Sequence, residues 1–529
     1  MSTREWDENI TRWMEQERIP GLSISVTQGG RVLYQRGYGT TSVEDGGSPI
    51  SERTVFRIGS VTKLFTGALA MRLMEQGRLH LDSPVTSYLP WFKTSMPGAE
   101  EAITMRRLLS HQAGLPSEFT PEGPRDRDAL QRSIREDLPK VPMLYHPDER
   151  LYYYSNWGIR VAGAVLEAAG GAFYDQLLDE LILKPLGMER TSCELAKIMS
   201  YQVAQGHYIA DDGKLKVLHS FSDNAARLPV GGLFSTAEDM ARFSLMLLGE
   251  KPLLQPDSIA EMARPQADLW NAQGHGYGLA ACTERMGGMV KFGHTGWAAP
   301  CFVASCWVVL KAGASVNVML SRHAEKTRER ISDMILNELV GKSPETQISI
   351  GPFRPSLEKE FQGHYLGDLP GLAEITIEEG RPVLLYKGAR YPLSAHERER
   401  LYFAQTPSGK LIWVGFPPRR KDEQFMVVDG EPCKRFHFNK DFRLSEEELE
   451  RFMGTYVSQS DRIRIRLSDG GLQMSFNSAS EYKPLTPLEE SLFDSPMGLM
   501  YPVCDGTRAS AINALNRLIF VRQGADQSS

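Results

Sequence analysis

Ser60 and Lys63 stand three residues apart in "RIGSVTKLFTGALA" (57–70), a stretch that turns apolar directly after them. A serine hydroxyl attacks a carbonyl only when a neighbouring base takes its proton. Positions i and i+3 share one face of a helix, so this spacing puts the Lys63 amine beside the Ser60 hydroxyl. Lysine can be that base only when neutral. Its ordinary pKa of about 10.4 must fall by several units, which burial and nearby positive charge both achieve. A helix starting here also offers backbone N–H groups to an oxyanion. The spacing alone is common, since Ser356–Lys359 and Ser480–Lys483 repeat it and read as surface pairs. Context sets Ser60 apart: Gly59 precedes it and an apolar helix follows.

Two further stretches carry polar groups suited to such chemistry. In "LYYYSNWG", Tyr154 is the one tyrosine of eighteen followed two residues later by asparagine, Asn156. A phenol can shuttle protons, and an amide can hold a substrate carbonyl or a lysine ammonium. Tyr152 and Tyr153 read as strand packing. In "KFGHTGWAAP", His294-Thr295-Gly296 opens an apolar strand. The histidine offers positive charge or a hydrogen bond, and the glycine lets a substrate backbone approach. Lys291-Phe-Gly and Lys311-Ala-Gly fit the same loose pattern, so it is weak by itself.

Other chemistries find little support. There is no His-Glu-x-x-His helix, no Gly-x-Ser-x-Gly elbow and no phosphate-binding Gly-x-x-x-x-Gly-Lys loop. The eleven histidines are scattered, so no metal and no cofactor are expected. The net charge of −6, without a Lys/Arg block, argues against nucleic acid. Six cysteines without a Cys-x-x-Cys pair read as reduced thiols, and the opening stretch is too polar for a signal peptide; both suggest the cytoplasm. "CFVASCWVVLKAGASVNVML" (301–320) is broken by Lys311 and Gly313 and reads as two buried strands and a turn, so no membrane contact is expected.

The elements that must position these residues are partly legible. An amphipathic helix stopped by Pro20-Gly21 leads to a hairpin around Gly29-Gly30. A long helix is predicted from about 60 to 76, capped by Gly77, with others at 157–170, 172–182 and 236–248. Two core strands near 288–320 and a helix at about 323–340 complete a sheet with helices packed on it. Beyond Gly341 helical patterns nearly vanish and a repeat appears. Phe361-x-Gly-x-Tyr and Phe452-x-Gly-x-Tyr lie 91 residues apart, as do Tyr391 and Tyr482, with similar hairpins between them. Two β units of roughly ninety residues follow. The predicted division is a catalytic domain at 1–341, a linker at 342–356, and small antiparallel β-barrels at 357–443 and 444–529.

Together, Ser-x-x-Lys, Tyr-x-Asn and His-x-Gly, in this order, resemble the serine β-lactamase and penicillin-binding protein superfamily. Within it the chain is most similar to class C β-lactamases, related esterases and D-aminopeptidases. "LLSHQAGLP" (108–116), "GGLFSTAEDMARF" (231–243) and "GYGLA" (276–280) extend the resemblance over residues 5–340. It implies an α/β (α+β) β-lactamase-like domain with a central antiparallel sheet flanked by helices. It makes Ser60 the acylated nucleophile and Lys63 and Tyr154 the paired base and acid, in either assignment. Asn156 would position the substrate, His294 and Gly296 would line the edge strand, and the N–H groups of Ser60 and Trp297 would form the oxyanion hole. His111, in "LLSHQAGLP", is expected to be structural. Histidine replaces the lysine of class C β-lactamases in the third motif, which weighs against efficient β-lactamase action. Asp148 replaces a usual glycine ahead of the second. The doubled, lipocalin-like β tail resembles D-aminopeptidases, in which a barrel loop limits substrate length, and 494–503 is the expected loop. The implied activity is D-residue release from a small peptide, amide or ester substrate. Penicillin-binding-protein-type thioesterases that cyclise peptides, carboxylesterases and a non-enzymatic binding protein are the alternatives, and a homodimer stays open.

Overall fold

The structure, a computed structural model, describes residues 3–523 apart from 45, 119–122, 211, 221–222, 273, 287, 342–347, 421–422, 459–460, 478–480, 506–507 and 515–517. Its central sheet has eight antiparallel strands. In spatial order they are Arg31–Gly39, Gly21–Gln28, Ala314–Leu320, Phe302–Val309, Met289–Ala298, Cys282–Met286, Gly276–Tyr277 and Ala267–Asp268. The apolar stretch 301–320 supplies two strands and a turn, as predicted. The region near 288–320 holds three strands: the two of the apolar stretch and Met289–Ala298, the strand expected at His294-Thr295-Gly296. It begins ahead of that motif and carries Lys291, His294 and two glycines, so no apolar run sets its start.

Alternation along the strands gives each sheet face its own core. Leu22, Ile24, Val26, Val316, Val318 and Leu320 share one core with Trp6, Ile10 and Trp13 of helix Thr3–Gln16 and with Ile331, Ile335 and Leu336 of helix Glu325–Val340. The spacing of these helical residues is one apolar stripe per helix. Each such side chain taken fully out of water contributes about 1.5–3 kcal/mol. On the other face, Phe292, Cys306, Val308 and Met319 pack into the larger core, which encloses helix Thr62–Glu75. That helix is buried on every side, as an apolar helix without a polar face must be. Phe65 stacks on Phe243 of helix Ala237–Leu247 at 3.8 Å between ring centres.

Two β units follow. Of the linker expected at 342–356, residues 342–347 lie outside the described residues. Helix Pro355–Phe361 leads into a nine-stranded sheet, and helix Glu446–Glu450 leads into a closed barrel of eight strands. The 91-residue repeat is visible atom by atom. The Tyr365 hydroxyl donates to the Phe361 carbonyl at 2.8 Å, and Tyr456 donates to Phe452 at 2.7 Å. Gly363 and Gly454 both adopt positive φ, 145° and 148°, each under an arginine, Arg435 and Arg522.

The first β unit docks on the catalytic domain. Phe425 and Val427 pack with Tyr145, Leu151 and Tyr153, and Arg398 pairs with Asp268 while lying over Trp270. At this junction Tyr153 donates to Asp368 Oδ2 at 2.7 Å, and Tyr501 of the second unit donates to Asp368 Oδ1 at 3.1 Å. Residues 494–503, the predicted active-site loop, are therefore placed elsewhere. Asp494, Leu499 and Tyr501 contact 368–372 of the first unit, and no residue of the stretch lines the catalytic cavity.

Candidate active site

Ser60 sits in a single tight turn, Gly59–Val61, that runs into helix Thr62–Glu75. A two-residue strand, Phe56–Arg57, leads into the turn and pairs with Phe234–Ser235 of the "GGLFSTAEDMARF" stretch. The turn lies backbone to backbone against strand Met289–Ala298. Gly59 has φ +51°, and a Cβ there would meet the Trp297 carbonyl oxygen at 2.6 Å. A Cβ on Gly296 would lie 1.9 Å from the Ile58 carbonyl oxygen. Glycine is required on both sides of this contact because nothing larger fits.

Lys63 is fully enclosed. Its Nζ is 2.9 Å from Ser60 Oγ and donates to the Val230 carbonyl at 3.0 Å. It also lies 4.9 Å from the centre of the Tyr154 ring. No carboxylate pairs with it among the described residues. Burial first, and the charge of Arg227 second, push its pKa well below that of an ordinary lysine, so the amine can hold a lone pair. The Val230 carbonyl takes one of its N–H groups, which leaves the lone pair free to face the serine hydroxyl.

Tyr154 lies on the extended approach to helix Asn156–Gly170, which Ser155 caps by accepting from the Gly158 N–H at 2.8 Å. His111 organises this approach. Its carbonyl accepts from Tyr153 N–H at 2.9 Å and its Nδ1 from Ser155 N–H at 3.1 Å, and its ring stands 4.5 Å from that of Tyr154. The structural role expected for His111 is thereby explained. Asp148, the departure in the preceding turn, pairs with Arg107 at 3.1 Å. Asn156 donates through Nδ2 to the Glu118 carbonyl at 2.8 Å, while its buried Oδ1 has no hydrogen-bond partner among the described residues. It holds no lysine ammonium, since Lys63 turns to Ser60 and Val230. What it offers the cavity is an acceptor for a substrate N–H.

Of the positive charge and the hydrogen bond that His294 could supply, its surroundings favour the hydrogen bond. It lines the cavity, but burial first and Lys63 second lower its pKa to about 3, so it carries no positive charge. Its Nε2 shares a 2.9 Å hydrogen bond with the Tyr277 hydroxyl of the "GYGLA" stretch, and Nδ1 faces the Thr295 carbonyl. A cation there would have to be buried beside Lys63, a cost the protein avoids. Trp297 stands at the rim, 38% exposed, with its ring 5.7 Å from His323.

Ser60, Tyr154, Asn156, His294, Gly296 and Trp297 line one cavity of about 520 Å³, and Lys63 lies directly beneath Ser60. Three contributors escaped the sequence reading. The Val230 carbonyl is a backbone group, and no residue type signals it. Arg57 and Arg227 also line the cavity. Burial lowers both guanidinium pKa values, that of Arg227 to about 10. Arg227 precedes the "GGLFSTAEDMARF" stretch closely, and Arg57 precedes Ser60 by three residues, but neither proximity indicates a role.

The beta-lactamase family model matches residues 6–339. A curated relative, "Beta-lactamase-like protein 2" of Dictyostelium discoideum, is 30% identical over 273 residues, covering 50% of this chain and 48% of the relative. The match thus spans about half the length of that relative. The solved structure of SurE with D-Leu has a TM-score of 0.61 at 23% identity, covering 82% of this chain and all of that one. EstCE1, a hydrolase with promiscuous acyltransferase activity, has a TM-score of 0.55 at 21% identity, covering 64% and 98%. At these identities the structural likeness is one of fold. No helix among the described residues is long and apolar enough to cross a membrane.

Proposed function

The chain belongs to the beta-lactamase family, and we propose that it is a serine hydrolase working through an acyl-enzyme on Ser60. One observation carries the proposal: Lys63 Nζ, enclosed and without a carboxylate, lies 2.9 Å from Ser60 Oγ. Neutral Lys63 takes the Ser60 proton as Oγ attacks the substrate carbonyl. The oxyanion forms at the contact between the Ser60 turn and strand Met289–Ala298, against the N–H groups of Ser60 and Trp297. Tyr154, beside Lys63, relays a proton to the leaving group. Water then repeats the sequence on the acyl-enzyme, with Lys63 again as base.

The specific activity we propose is release of an N-terminal D-residue from short peptides or amides, in the cytoplasm. The histidine in place of a class C lysine and the doubled β tail support it, as does a fold likeness to a protein solved with D-Leu. D-alanine and L-alanine p-nitroanilides test it. D-selective release that disappears in Ser60→Ala is expected; release without selectivity, or release surviving that substitution, overturns it.

A second reading is carboxylester hydrolysis or acyl transfer, supported by the fold likeness to EstCE1, a hydrolase with promiscuous acyltransferase activity. Short p-nitrophenyl esters turned over far faster than either anilide would select it. A macrocycle formed from a peptidyl thioester would select transfer to an amine.

A further inference from the structure

A second cavity, of about 470 Å³, opens off the catalytic one, and Arg57, Leu195 and Ala299 line both. Its volume falls within the range of small-molecule sites, about 300–1,000 Å³. Its inner wall is apolar: Ile198 and Phe302 are buried there, with Leu218 half-buried beside them.

Strand Met289–Ala298 shows which half of a substrate reaches this annex. The ring of His294 lies 6.0 Å from that of Tyr154. Trp297, three residues on, packs against Gly59 in the turn that carries Ser60. Ala299, two further, opens into the annex. The phenol that protonates the leaving group therefore stands at one end of the reacting carbonyl, and the annex at the other.

We propose that the annex receives the acyl half of the substrate and that this half is an extended apolar chain. The proposal rests on the Ser60 acyl-enzyme in the second reading above, ester hydrolysis or acyl transfer, and not on release of a D-residue. The annex then sets specificity, because each methylene taken out of water favours binding by about fourfold.

The test compares kcat/KM for p-nitrophenyl octanoate and acetate. Wild-type enzyme is expected to favour octanoate by at least about tenfold, well below the ceiling that the methylene count allows. Leu218→Trp narrows the annex from the two-stranded hairpin of Gly206–Ile209 and Leu215–Leu218 and is expected to cut the octanoate-to-acetate ratio at least tenfold. Val203→Phe, from another wall, guards against a local folding failure. Fluorophosphonate labelling counts active sites in each preparation. An acetate rate equal to or above that for octanoate in the wild type overturns the annex, as does a ratio unchanged in both variants; the Ser60 chemistry survives either result. Loss of both ester activities and of labelling in wild-type protein overturns the Ser60 acyl-enzyme, and the annex with it.

Discussion

Replacing Gly296 with alanine tests the contact that joins the nucleophile to its strand. The added Cβ would start 1.9 Å from the Ile58 carbonyl oxygen, and moving that oxygen to the 3.0 Å floor of real Cβ contacts takes 1.1 Å. The oxygen is backbone, so the whole Ile58–Ser60 turn must move with it or the strand must bend away. A hydrogen bond of about 2.9 Å from an oxyanion to one of the two N–H groups would lengthen to about 4 Å and be lost. Losing one oxyanion donor costs about 10²–10³ in kcat. The overpacking itself costs about 1–3 kcal/mol of stability, which a folded domain can absorb. The assay is kcat on p-nitrophenyl acetate, normalised to fluorophosphonate-labelled sites, with a thermal melt to show that the variant is folded. Gly471→Ala is the control, since the nearest atom to its Cβ would be 4.0 Å away; it should change neither kcat nor the melt. A folded Gly296→Ala enzyme with kcat within threefold of wild type would refute the oxyanion hole assigned to Ser60 and Trp297.

Two other outcomes are expected. With p-nitrophenyl acetate, kcat/KM should fall on the acid side as Lys63 gains a proton, and Arg227→Met should move that limb to higher pH, because a positive neighbour holding the amine's pKa down is removed; a limb that stays in place or moves down contradicts the role of Arg227. Asp494 has a carboxyl raised to about 6, mainly by burial, against about 3.9 when unfolded, so the folded state holds more protons between these values and stability is lost as pH rises through that window. Asp494→Asn should therefore stabilise by about 1–2 kcal/mol at pH 7, after discounting for solvent screening, and by nothing near pH 4; melts showing equal gains at both would count against it.

The pair assigned as nucleophile and base was legible because Ser60, in the turn Gly59–Val61, runs directly into the helix that carries Lys63, so that three-residue spacing fixes their geometry. Ser60 and Lys63 need no tertiary information to be neighbours. Tyr154, Asn156 and His294 were recoverable only as a set, through family resemblance, since no local rule brings 154 and 294 together. Whether His294 offers a charge or a hydrogen bond could not be decided from sequence, because burial is a tertiary quantity. Its partner Tyr277 and the proximity of Lys63 appear only once the sheet is assembled. Arg227 and the Val230 carbonyl were invisible for the same reason. The β tail was legible through its own repeat, whose two Phe-x-Gly-x-Tyr anchors make the same hydrogen bond in each unit. Where the tail docks was not legible. The expected loop 494–503 faces the first β unit, and the residue touching the approach to Tyr154 is Asp368, which no motif marks.

That aspartate joins segments 215 and 133 residues apart in sequence, with Tyr153 on one oxygen and Tyr501 on the other. Tyr153 is the immediate neighbour of Tyr154, so the segment that carries Tyr154 is moored to both β units at once. Truncating the chain at the end of its catalytic domain would not yield a minimal enzyme. It would strip the cover from Tyr145, Leu151 and Tyr153 and untie the extended segment that holds Tyr154. Grafting or shortening the tail would thus change the setting of Tyr154 from a distance.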